Sequence, residues 1–108
     1  MNSSGSVMQT PIELNHSVYA DMCGQIIKHQ GQIIGVPLAL EQASHVNGLT
    51  VDPVTYACTV KGDGSPIVND LVEEYRDFFG HAAVEVCKEA TSQFMSQLPE
   101  EETPSLLK

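Results

Sequence analysis

This chain is short of positive charge. Five Lys and Arg stand against fourteen Asp and Glu, a net charge of −9. A nucleic-acid surface needs a basic footprint that displaces counterions from phosphate, and none is present. Anionic membrane surfaces are disfavoured for the same reason. No apolar run nears the roughly 20 residues of a membrane span, and no charged segment leading into an apolar stretch marks a signal peptide. Cysteine is scarce too. The three present form no CxxC pair and no spaced framework, which argues against a secreted disulfide scaffold and fits a reducing cytoplasm. The four histidines make no HxH or HExxH motif, so no zinc ligand set is legible.

Apolar residues make up 42% of the 108, enough for one core and one domain. Residues 1–13 begin small and polar (Met1-Asn2-Ser3-Ser4-Gly5-Ser6) and read as a disordered leader. Residues 99–108 carry Glu100-Glu101-Glu102 between Pro99 and Pro104 and read as a disordered acidic tail. The folded unit is then 14–98.

Within it, Asn15 is a suitable N-cap for a first helix. Val18, Met22 and Ile26 fall on one line, and Tyr19, Cys23 and Ile27 on the next. Asp21, Gln25 and Lys28 face away. Gly24 either weakens this helix by about 1 kcal/mol or admits another backbone, and Gly31 is the expected stop. Pro37 suits the first turn of a second helix over 36–47, with Gly48 as its left-handed cap. Leu49–Val51 then alternates, Asp52-Pro53 marks a turn, and Val54, Tyr56, Cys58 and Val60 share one face of a strand running to Lys61. Strands this close predict an antiparallel hairpin. The alternative is that Gln32–Val36 adds a third strand. Ser65 and Pro66 open the next helix, whose stripe runs Ile67, Leu71, Tyr75 and Phe78, with Val68, Val72 and Phe79 beside it. Gly80 kinks or divides this helix before Ala83, Val86, Ala90 and Phe94 continue. The expected fold is α+β, a small single domain of order α-α-β-β-α-α with helices packed on a short hairpin.

Few of these residues spell out chemistry. Cys23, Cys58 and Cys87 fall at core positions. Gly62-Asp63-Gly64-Ser65 sits where a phosphate loop would, but lacks its span and its Gly-Lys-Ser/Thr ending. No catalytic residue, cofactor or metal site is assigned, and an enzyme is the less favoured reading. Asp70, Glu73, Glu74 and Asp77 lie on one helix face, with like charges at i+4 that cost a few tenths of a kcal/mol. A basic partner protein would relieve that cost. A two-stranded hairpin is marginal alone and leaves open edges, which pairing with a second copy would resolve. The reading is therefore a non-enzymatic regulatory or adaptor domain, cytoplasmic and homodimeric, acting through protein–protein contact. The alternative is a small-molecule sensor with an apolar pocket between hairpin and helices, lined by Met22, Ile26, Tyr56, Cys58, Phe78 and Phe79.

Overall fold

A computed structural model describes residues 11–108. Most of the expected leader lies outside the described residues. Helix α1 spans Pro11–Ile34, starting on a proline, which loses nothing at a first position whose N–H has no helical partner. It does not stop at Gly31. That glycine is buried, and a β-carbon on it would sit 3.4 Å from the Val36 side chain. Gly31 thus serves packing between helices, and the chain breaks instead at Gly35, where φ is 94°. Helix α2 covers Val36–Ala43 with Pro37 in its first turn. Its expected last turn unwinds into tight turns that lead to Gly48, at φ 85°. Gln32–Val36 supplies no strand: its residues belong to the two helices and the break between them.

The hairpin pairs β1 (Leu49–Val51) with β2 (Cys58–Val60), antiparallel, Leu49 opposite Val60 and Val51 opposite Cys58. The second strand is shorter than its alternation suggests. Asp52 is the reason: its carboxylate accepts the amide protons of Val54 (2.8 Å) and Thr55 (3.2 Å), and its carbonyl accepts that of Tyr56 (2.8 Å). A side chain that satisfies nearby amides offers the backbone an alternative to the ladder. Val54, placed on the apolar face by spacing, is therefore 83% exposed on the loop. Leu49, Val51, Tyr56, Cys58 and Val60 pack against the core, while Thr50 and Thr59 face out.

Helix α3 spans Gly64–Phe79 and α4 spans His81–Thr91, separated by Gly80 at φ 86°. Asp63, not Ser65, occupies the cap position of α3, with no side-chain cap bond. The core gathers Met22, Cys23, Ile26 and Ile27 of α1 against Val68, Leu71, Val72 and Tyr75 of α3 and Ala83, Cys87 and Ala90 of α4. The polar side chains that enter it have partners, as buried polar groups must. Gln30 donates to the Ala83 carbonyl (3.1 Å) and the Tyr75 hydroxyl donates to the Ala39 carbonyl (2.7 Å). The order α-α-β-β-α-α is as expected, and the fold is a small single α+β domain.

The tail departs from expectation. Residues 99–108 form two short 3-10 turns, Glu100–Glu102 and Ser105–Leu107, and Pro104 and Leu107 are buried. Asn69 of α3 donates to the Ser105 hydroxyl (3.2 Å) and accepts the Leu106 amide (2.9 Å). The Tyr19 hydroxyl donates to the Glu102 carbonyl. Two apolar anchors and three hydrogen bonds outweigh the repulsion of the glutamates, which stay at the surface.

The hairpin also corrects the premise for a twin. Its inner face lies on α1 within one copy, and strands of three residues present little edge, which is how natural sheets blunt theirs. The hairpin therefore makes no case for a second molecule over it.

Candidate functional site

Three surface features follow from this arrangement. The first is the acidic face of α3. Arg76 reaches Glu73 (3.5 Å) and Asp77 (3.9 Å), and His45 Nδ1 meets Glu74 (2.9 Å). Asp70 makes no ion pair among the described residues. Exposed pairs of this kind contribute well under about 1 kcal/mol, so the face keeps its negative field.

The second feature closes that face. The apolar stripe of α3 continues one step beyond its last core residue, Tyr75, into Phe78 and Phe79. Gly80 then turns the chain away, and the two rings stand 47% and 39% exposed. They meet edge to face, centroids 4.4 Å apart and planes at 80°, the arrangement that ring quadrupoles prefer.

The third feature is a cleft of about 240 Å³ between α1 and the hairpin loop. Asp21, Gly24, Gln25 and Lys28 form one wall, Thr55–Cys58 the other, and Phe94 of the 3-10 turn Ser92–Gln97 also lines it. Gly24 positions the loop: a β-carbon there would lie 3.0 Å from the Tyr56 carbonyl. The close backbone approach that Gly24 permits is thus used. Tyr56 itself sits at φ 65°, a conformation non-glycine residues adopt only when their surroundings impose it.

The apolar pocket expected from the sequence does not assemble. Met22 and Ile26 are wholly inside the core, Phe78 and Phe79 lie outside the cleft, and only Tyr56 and Cys58 of the six line it. Sequence reasoning assigned Asp21, Gln25 and Lys28 to plain solvent. Periodicity marks which side of a helix avoids the core, not which loop crosses that side. Gly24, on the same flank, was the available signal.

No family model, curated protein or solved structure matches this chain. What it does must be argued from its own groups. Among the described residues no three His, Cys, Asp or Glu side chains are grouped to hold a metal ion, and no helix is long and apolar enough to cross a membrane. His45 and His81 make surface contacts with Glu74 and Glu85 (2.9 and 3.2 Å).

Cys58 is the thiol that borders the cleft, and it is poorly suited to nucleophilic attack. Burial first, and the Asp21 carboxylate second, push it up to about 11. Since the thiolate is the reactive form, alkylation by iodoacetamide is expected to be slow at neutral pH and to accelerate toward pH 11. Asp21→Asn removes one of the two causes, so its Cys58 should ionise at lower pH and alkylate faster at about pH 8.5, near the ordinary thiol range. An unchanged rate in that variant, read by mass spectrometry of the Cys58 peptide, would show that the Asp21 charge does not reach the thiol.

Proposed function

We propose that this chain is a non-enzymatic protein-interaction module of the regulatory or adaptor kind, and that it docks a basic partner at the corner where α3 ends. The observation that carries this reading is the Phe78–Phe79 pair, about half exposed at the end of a helix with four acids and one base. A few anchor residues carry most of the binding energy at an interface, aromatic side chains are enriched there, and surrounding charge chooses the partner and speeds encounter. Asp70, Glu73 and Asp77 are the steering charges, and Glu74, held by His45, sits at the margin. A second copy is the poorer occupant, because two chains of −9 would bring like-charged faces together.

A synthetic amphipathic Lys/Leu helix serves as the probe, followed by backbone amide NMR shifts. It should perturb the end of α3 and the start of α4. The F78S/F79S variant should bind at least tenfold more weakly, as loss of an interface anchor implies, with its melting temperature within about 3 °C of the parent, as for surface substitutions. Raising salt should weaken the parent complex. Equal binding by the double variant, or sedimentation as a dimer that the same substitutions dissolve, would overturn the basic-partner reading.

A further inference from the structure

The cleft on α1 presents a different chemistry from the aromatic corner. Asp21 and Lys28 stand at its two ends, seven residues apart on one flank, which is about 10.5 Å along the axis at ~1.5 Å per residue. Neither makes an ion pair among the described residues, although Glu73, Glu74, Asp77, Glu85, Arg76 and Lys88 all do. Gln25 lies between them, half-buried, and its side-chain amide has no hydrogen-bond partner among the described residues. Cys58 lines the facing wall, and after burial the Asp21 carboxylate is the second cause that raises its thiol. One carboxylate, one free amide and one ammonium thus stand in sequence along a groove of about 240 Å³.

We propose that this cleft binds a short peptide as a zwitterion, its amino end at Asp21, its carboxylate at Lys28 and its peptide link at Gln25. Length selects the ligand. A dipeptide spans about 7 Å at ~3.5 Å per residue, which leaves each terminal charge within side-chain reach of its partner. The two charges of a single amino acid are too close to satisfy both. An amide side chain is the matching recognition group, since it offers both a donor and an acceptor to a peptide bond. The close approach of the Tyr56 carbonyl to Gly24 fixes the spacing of the two walls, and a wall held by the fold needs little ordering on binding.

The test is an NMR titration of the full chain with Gly-Gly, N-acetyl-Gly-Gly, Gly-Gly-amide and glycine. Gly-Gly should shift the amides of residues 20–28 and 55–58, with a Kd of about 1 mM for so small a ligand. The acetylated and amidated peptides each lack one charge and should bind about fivefold more weakly, the upper range for an exposed ion pair. D21N and K28Q should each lose the same factor, and glycine should be weaker than Gly-Gly. F78S/F79S should leave this titration unchanged, which separates the cleft from the interaction corner. Absence of shifts at ~10 mM Gly-Gly, well above the Kd expected of such a ligand, equal binding by the blocked peptides, or full binding by D21N and K28Q would each overturn the proposal.

Discussion

Gly64→Ala is expected to destabilise the fold by about 3 kcal/mol, the upper range for overpacking a tight site. The position is helical and its backbone would accept alanine. The obstacle is the Tyr19 ring: a β-carbon on residue 64 would lie 2.0 Å from Cδ2 and 2.4 Å from Cγ. A ring so close cannot yield by rotating its tip, because its root is overlapped as well, at 2.8 Å from Cβ. Either α1 and α3 separate or Tyr19 leaves its site. The second route also breaks the hydrogen bond from Tyr19 to Glu102 and so loosens the turn that delivers Pro104 and Leu107. Thermal melts should fall by about 12 °C or more, at ~4–8 °C per kcal/mol for a domain near this size. Gly62→Ala is the contrast. Its β-carbon meets open space at φ 98°, so only backbone strain of about 1 kcal/mol applies. In a Tyr19→Ala background the cost of Gly64→Ala should largely vanish, which a double-mutant cycle reads directly. A Gly64→Ala protein that melts within about 2 °C of the parent, a shift worth under ~0.5 kcal/mol, would mean the ring does not occupy that space.

The second large effect is alkaline instability. Cys23 and Cys87 are wholly buried. Burial, then the neighbouring thiols Cys58 and Cys87, push Cys23 far up, and burial raises Cys87 to about 11 although the Gln30 amide opposes it. In the unfolded chain both ionise near the ordinary thiol range of about 8.5. Above that pH the unfolded chain holds fewer protons than the folded one, so stability falls as pH rises. Each missing proton costs about 1.4 kcal/mol per pH unit; with Cys58, which burial likewise pushes up to about 11, three thiols give about 4 kcal/mol per unit above pH ~9. The contribution is intact below the unfolded value. The Cys87 share levels off near 11, where the folded thiol also ionises. Tyr75, raised by burial and by the three thiols, adds to the loss beyond about pH 10. Urea unfolding at about pH 7.5, 9 and 10 checks the slope. Cys87→Ala should reduce that slope by roughly a third between pH ~9 and ~10, whatever its cost at neutral pH. A flat profile over that interval would show that none of the three thiols is shielded.

Much of the architecture was legible because periodicity records which side chains leave water. The stripes of α1 and α3, the hairpin and the division at Gly80 follow from spacing and from one residue free to take positive φ. Where the reading failed, a distant partner overrode a local signal. Gly31 resembles a stop until Val36 is packed against it. Val54 continues an alternation until the Asp52 carboxylate captures the amides of the turn. Pro104 and Leu107 look like a frayed end until Tyr19 and Asn69 supply the surface that holds them.

The candidate sites divide in the same way. The acidic face of α3 is a property of one helix, so composition and spacing alone determined it. The exposure of Phe78 and Phe79 was decided by where the core ends, and the cleft by a loop more than thirty residues from Asp21 that crosses α1 at Gly24. A chain specifies locally which groups avoid water. Which of those groups find cover, and which polar groups are brought to face one another, depends on contacts distant in sequence that only the assembled core creates.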